Sequence, residues 1–376
     1  MDTLLMDTPC LLLDAAKMAR NIARLQAHLA PLGPRLRPHL KTAKSVQVAA
    51  RQLGDSAIGA TVSTLREADV FAAAGVRDII YAVGIAPHKL DRVHALRQQG
   101  CDLAIVLDAM AQADAVADAA RRLGDTFPVL LEIDCDGHRS GLRPGDPHIV
   151  AIADRLRAGG VELRGVLTHA GESYNATTPD ALAAFAEQER RAAVQVADTL
   201  AAAGHPCTVV SVGSTPTAHF ARNLHGITEV RAGVYVFFDL VMAGIGVCRR
   251  EDIALSVLTR VIGHQQDKGW ILVDAGWMAL SRDRGTAGQA IDQGYGVVCD
   301  AQGEEIEGLI VVQANQEHGI LALRPGSRAA LPTLPIGTRL RILPNHACAT
   351  AAQFDGYHVL DAATDTIPFW PRFRGW

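Results

Sequence analysis

No Cys-x-x-Cys pair occurs in this chain, and its seven cysteines (Cys10, Cys101, Cys135, Cys207, Cys248, Cys299 and Cys348) lie far apart. An odd, scattered set argues against a disulfide framework and for reduced thiols in a cytosolic protein. Apolar runs long enough to span a bilayer are also missing. The first residues, Met1-Asp2-Thr3-Leu4-Leu5-Met6-Asp7, carry acids where a secretory signal needs cations. Charge of one sign is lacking too: the net charge is -4 with both signs interspersed, so neither nucleic acid nor an anionic membrane is an expected partner. What these absences leave is a soluble, cytoplasmic protein.

A length of 376 residues is long for one domain and comfortable for two, and 49% hydrophobic residues supply a large core. Over the first two thirds, short β-rich runs alternate with Ala-rich amphipathic segments. Residues 11–14, 57–62, 79–83, 103–108, 129–134, 163–169, 209–213 and 229–233 read as strands. Between them, Asp14 caps a helix carrying Met18, Ile22, Leu25 and Leu29 at helical spacing. Thr64 and Glu67 form a capping box, and Thr178-Pro179-Asp180 opens a long helix. About eight such alternations predict a parallel (β/α)₈ barrel. From about Cys248 the runs crowd together between Gly, Asp and Pro turns, which predicts an antiparallel β domain. The expected division is an N-terminal segment 1–14 packing with the β domain, a barrel over 15–245 and the β domain over 246–376. No low-complexity linker separates the halves.

In such a barrel, functional side chains gather at the C-terminal ends of the strands. Arg37-Pro38-His39-Leu40-Lys41-Thr42-Ala43-Lys44 stands where a strand gives way to a loop. Three cations in eight residues are, taken alone, a solvated basic turn. A partly desolvated Lys41 beside Arg37 and Lys44 would instead be pushed toward its neutral, nucleophilic form and could bind an aldehyde cofactor. Arg139, in a glycine-flanked loop, is suited to hold a phenolate or carboxylate. His169 and Tyr174 follow another strand as acid/base candidates or plain loop residues. Gly213, Ser214 and Thr215, then Gly233 and Tyr235, follow the last two strands, where barrels often bind phosphate; either stretch is also an ordinary turn in isolation. His346 and Cys348, two apart and expected on one face of a strand, suit Zn²⁺, or form a buried cysteine beside a turn histidine. Gln316-Glu317-His318-Gly319 reads as a polar hairpin turn or a further site element.

Together these stretches, with Thr8-Pro9, His169-Ala170-Gly171, Arg231-Ala232-Gly233 and Asp274-Ala275-Gly276, resemble the fold-type III (alanine-racemase-like) pyridoxal-phosphate enzymes over nearly the whole chain. More narrowly they resemble the metal-activated branch that holds D-serine dehydratase, D-threo-3-hydroxyaspartate dehydratase and D-threonine aldolase, with the leaning toward D-threo-3-hydroxyaspartate. That resemblance implies a cytoplasmic homodimer using pyridoxal 5'-phosphate and Zn²⁺ or another divalent metal. It implies that Lys41 holds the cofactor and acts as base at the substrate Cα, with His169 and Tyr174 near the reaction. Arg139 would meet the cofactor's phenolic oxygen, Gly213, Ser214, Thr215, Gly233 and Tyr235 its phosphate. His346 and Cys348 would bind the metal. Aldolases of this branch usually carry Asp where Cys348 stands, so a dehydratase is expected and retro-aldol cleavage is the alternative. Ala43 departs from the histidine of many relatives, which leaves that position without an expected catalytic role. A regulatory pyridoxal-phosphate carrier would need only the barrel, and a non-catalytic zinc module would need neither Lys41 nor the phosphate loops.

Overall fold

The computed structural model describes residues 6–54 and 57–376. Met1 to Leu5, most of the acid-bearing start read against a secretory signal, lie outside the described residues. The chain divides into two compact units, the first Ala23–Gly233 with Arg374–Trp376, the second Val234–Phe373 with the described part of Met1–Ile22. The sequence had placed the divisions after residues 14 and 245.

Strand β1 (Cys10–Asp14) and helix α1 (Ala15–Leu29) open the chain, and the Lys17 amide donates to the Asp14 carboxylate at 2.9 Å, as an N-cap requires. The first unit is an eight-stranded parallel sheet. Its strands are β2 (Arg35–Pro38), β3 (Ala60–Val62), β4 (Asp78–Gly84), β5 (Asp102–Leu107), β6 (Pro128–Ile133), β7 (Glu162–Thr168), β8 (Val209–Val212) and β9 (Glu229–Ala232). β2 pairs with β9, and the far edge β3 returns to β2 through the His39–Thr61 bridge and the 2.9 Å bond from the Leu40 amide to the Thr61 carbonyl. The sheet thus curls into the expected barrel.

The sequence counts residues 11–14 among the alternating strands and also assigns them to a segment apart from the barrel. The apolar run at residues 11–14 heads the β/α alternation in sequence, yet β1 belongs to the other unit's sheet. Arg35–Pro38 takes the barrel position instead. A strand with two arginines looks unsuited to a barrel, but Arg37 is only 4% exposed and donates to Glu229 at 2.7 Å and to Asp78 at 2.7 and 2.9 Å. Buried charge is tolerated when paired and hydrogen-bonded in this way.

Helices connect the barrel strands. Helix α2 (Val46–Leu53), α3 (Leu65–Ala73), α4 (Leu90–Gln98), α5 (Met110–Leu123), α6 (His148–Ala158), α7 (Pro179–Ala202) and α8 (Thr215–Phe220) follow in order. Thr64 caps α3 by accepting from the Glu67 amide at 3.1 Å, and Thr178 caps α7 by accepting from Ala181 at 3.2 Å. Ile80, Ala104, Val106, Leu130 and Leu167 form one buried apolar cluster across neighbouring strands. Leu130→Ala there would cost roughly 2–5 kcal/mol.

The second unit is a nine-stranded sheet. Short helix α9 (Leu240–Gly244) precedes β10 (Leu255–Gln265) and β11 (Trp270–Val273), then α10 (Trp277–Leu280). β12 (Val297–Cys299), β13 (Glu305–Ala314), β14 (Gly319–Leu323) and β15 (Arg339–Leu343) follow, then α11 (Ala347–Ala351), β16 (Gly356–Leu360) and β17 (Phe369–Pro371). Its pairings are antiparallel except that of β1 with β16. Three motifs prove to be braces within this unit. The Thr8 hydroxyl donates to Asp274 at 2.6 Å, whose other oxygen accepts from Thr259 and from the Arg260 amide. Gln316-Glu317-His318-Gly319 is the β13–β14 hairpin turn, closed by the Asn315 amide on the His318 carbonyl at 2.8 Å. Gly276 fits because a Cβ there would stand 2.3 Å from the Gln316 carbonyl oxygen. Among the described residues, no helix is long and apolar enough to cross a membrane.

Candidate functional site

The ends of the barrel strands bring Lys41, Arg139, His169, Gly213 and Gly233 to one mouth. β2 stops at Pro38, and the chain turns tightly, the Lys44 amide donating to the Leu40 carbonyl at 3.0 Å. Lys41 stands exposed on this turn, not partly desolvated as expected. The two neighbouring cations are each held by carboxylates: Arg37 by Asp78 and Glu229, Lys44 by Glu67 at 3.1 Å.

His169 follows directly on β7, with Nδ1 2.9 Å from the Gly213 carbonyl oxygen after β8. Burial first, then the charges of Lys41, Arg139 and Arg231, outweigh that bond and push its pKa down to about 3. The imidazole is therefore neutral near pH 7. Its Nδ1–H donates to Gly213, which leaves Nε2 as a bare acceptor. The Tyr174 ring lies 6.4 Å away, tilted by 52°. Burial, with Lys41 and Arg231, also pushes His39 well below its usual range. His39 Nδ1 and the neighbouring Thr61 hydroxyl are buried without a hydrogen-bond partner among the described residues. Such orphans at the strand ends mark a place for a ligand or water. Arg139, about half exposed, approaches Glu132 at 3.5 Å.

The expected phosphate loop is more tightly committed than its composition suggests. The Gly213 amide donates to Glu189 at 2.9 Å, and the Ser214 amide donates to Thr217 Oγ1 at 3.0 Å. Ser214 Oγ caps α8 by accepting from the Thr217 amide at 3.2 Å. Thr215 occupies the first helical position of α8, where an amide has no intrahelical acceptor. Gly213 was expected to let a ligand approach. With φ +139°, its absent Cβ would instead stand 2.0 Å from the Arg231 carbonyl oxygen, so the close approach is that of β9. Gly233 likewise admits the Lys41 turn, since a Cβ would meet Thr42 Oγ1 at 3.2 Å. Tyr235 belongs to the second unit and is fully buried.

In that second unit, His346 and Cys348 do not share a strand. β15 ends at Leu343, His346 is the N-cap residue of α11, and Cys348 sits in its first turn. Asp283 Oδ2 lies 2.6 Å from His346 Nδ1, so Nε2 is the nitrogen left to face another partner. Burial lowers the His346 pKa, but Asp283 and then the Cys348 sulfur outweigh it and raise it to about 11. Asn345 knits the turn to its surroundings, donating to the Gly294 carbonyl at 2.6 Å and accepting from Thr286 at 2.8 Å. Buried Asp239 accepts from the Ala347 amide at 2.9 Å and fixes the start of α11. Imidazole and thiolate with a carboxylate behind the imidazole fit a divalent metal of the Zn²⁺ type. Among the described residues no group of three metal-ligating side chains forms, so two protein ligands would leave positions for water or substrate.

Asp239, Asp283 and Glu189 escaped sequence reasoning. Asp283 is 63 residues from His346, and no spacing rule joins them.

Two family models match the chain: one described as alanine racemase, N-terminal domain, over residues 13–241, the other as a putative serine dehydratase domain, over residues 254–360. D-threo-3-hydroxyaspartate dehydratase of Delftia sp. (strain HT23) is 58% identical over 379 residues and covers 100% of both chains. D-serine dehydratase of Dictyostelium discoideum is 30% identical, covering 99% of this chain and 98% of its own. Among solved structures, a variant of D-threo-3-hydroxyaspartate dehydratase in a metal-free form has a TM-score of 0.97 at 57% identity, with 100% of each chain covered.

Proposed function

This chain belongs to the alanine racemase N-terminal-domain family, and on that premise we propose that it is a dehydratase of 3-hydroxy-D-amino acids dependent on pyridoxal phosphate and a divalent metal. Its preferred substrate is D-threo-3-hydroxyaspartate, converted to oxaloacetate and ammonia, with D-serine giving pyruvate and ammonia as the lesser reaction. The observation that carries this reading is the barrel mouth, where an exposed amine, Lys41, stands with Arg139, the neutral His169 and the unpartnered His39 Nδ1. Those groups fit an aldehyde-bearing aromatic ring with a phenolic oxygen. Full-length similarity to the Delftia dehydratase supports the substrate.

Lys41 would hold the cofactor through its amine and, once substrate displaces it, remove the proton from Cα. Arg139 would face the phenolic oxygen as a fixed cation. The turn after β8, with Thr215 at the head of α8, and Gly233 would receive the phosphate. When bound, pyridoxal phosphate supplies an electron sink for charge developing at Cα, and the metal stabilises the departing 3-hydroxide as a Lewis acid. His346 and Cys348 would hold that metal, Zn²⁺ by the softness of the donor pair. Neutral His169 has no proton to give from Nε2, so near it the chain offers an acceptor and Tyr174 the remaining hydroxyl. The proposal extends to a homodimer, and to work in the cytoplasm, with which seven cysteines outside any disulfide among the described residues are in keeping.

Incubation of the purified protein with D-threo-3-hydroxyaspartate, pyridoxal phosphate and Zn²⁺ tests it. Oxaloacetate and ammonia in equal amounts are expected. Glycine with glyoxylate would replace the dehydratase by an aldolase, and no turnover of any 3-hydroxy-D-amino acid would overturn the reading.

A further inference from the structure

Glu189 lies on the inner side of α7, only 2% exposed, among side chains such as Ala186, Ala192 and Ala193 that pack the same helix. Sequence around it, Glu187-Gln188-Glu189-Arg190-Arg191, reads as a solvated face. Its carboxylate does something that packing does not require. Oε1 accepts two backbone amides at once, Ala170 at 3.0 Å from the loop after β7 and Gly213 at 2.9 Å from the loop after β8. Oε2 accepts the Thr217 hydroxyl at 2.8 Å. Thr217 Oγ1 in turn receives the Ser214 amide, so one carboxylate anchors the whole turn from Gly213 to Thr217. The turn is pinned from its other side as well, because the Gly213 carbonyl accepts from His169.

We infer that Glu189 is a positioning residue: it sets the separation of the His169 loop and the Gly213–Thr217 turn, and so shapes the end of the site that receives the phosphate. This deepens the function proposed above and rests on it. Burying a carboxylate costs several kcal/mol unless donors surround it, and another alanine would pack the helix without that cost. A single oxygen shared by two amides holds two loops at a fixed distance, which two independent hydrogen bonds to water cannot do. Burial pushes the Glu189 pKa up, and the bonds from Thr217 and Gly213 oppose that rise together with the charge of Arg231, itself buried at 3% exposure and bonded to Ser211 Oγ at 2.6 Å and to the Thr168 carbonyl at 2.5 Å.

The test compares the binding of pyridoxal phosphate with that of pyridoxal, which lacks the phosphate, to the apoprotein by absorbance titration. Binding by the wild type is read first, and its failure to bind either would overturn the proposed function itself. Given that binding, Glu189→Ala should lose about tenfold or more in affinity for pyridoxal phosphate while its affinity for pyridoxal changes much less. Glu189→Gln, which keeps an acceptor at Oε1, should recover most of the loss. Asp125→Asn is the control for stability alone: Asp125 is held by His94 and Arg97 before β6, away from the mouth, and its loss should leave the ratio of the two affinities unchanged. Should Glu189→Ala not fold, Glu189→Asp, whose shorter side chain draws the carboxylate back from the Ala170 and Gly213 amides, carries the comparison. An unchanged ratio in the folded variants would overturn the positioning role and leave the proposed function standing.

Discussion

The carboxylate of Asp283 stands 2.6 Å from Nδ1 of His346 and leaves the opposite ring nitrogen, Nε2, as the one that would meet a metal under the proposed function. A carboxylate behind a ligating imidazole fixes its orientation and raises its basicity, and removing such a partner costs about 10–100-fold in metal affinity or activity. Asp283→Asn is therefore expected to bind Zn²⁺ about 10–100-fold more weakly, with the cofactor's near-visible absorbance unchanged. Equal affinity, measured by competition with a chelating dye, would remove Asp283 from the metal site.

Removal of the metal separates the two chemistries. After dialysis against a chelator, turnover should vanish while the near-visible band of bound pyridoxal phosphate remains, and Zn²⁺ should restore the activity. Full turnover by protein shown free of metal by elemental analysis would end the Lewis-acid argument.

His219 gives the fold an acid limit that can be read in its slope. Burial pushes its pKa down to about 3, although its Nδ1 lies 2.8 Å from the Thr215 carbonyl oxygen. In the unfolded chain an imidazole titrates near about 6.5. Between those values the unfolded chain binds a proton that the folded chain refuses. Its contribution is thus complete above about pH 6.5 and is lost as the pH falls, at about 1.4 kcal/mol per unit. His219→Gln should lose about 1.4 kcal/mol less than the parent between about pH 7.5 and about pH 5.5 in urea unfolding. Parallel pH profiles would show that His219 is protonated in the folded protein.

Local rules carried the fold a long way. Strand and helix alternation, the caps at Asp14, Thr64 and Thr178, and the texture change near Cys248 all rest on contacts within a few residues. What escaped them depends on distant partners. β2 is a barrel strand because Arg37 finds Asp78 and Glu229, 41 and 192 residues away. The apolar β1, the better-looking candidate, is satisfied between β10 and β16. At the site, strand ends pointed to Lys41, Arg139 and His169, since their place follows from topology. The commitment of the Gly213 and Ser214 amides to Glu189 and Thr217 follows from packing of α7 that no local pattern announces.

The identity of the residue that carries the cofactor tests the account most directly. Protein loaded with pyridoxal phosphate is reduced with borohydride, digested and mapped by mass spectrometry. A pyridoxyl-phosphate adduct on Lys41, lost in Lys41→Ala together with the near-visible band, is the predicted result. An adduct confined to another lysine, such as Lys44 or Lys89, would contradict the account.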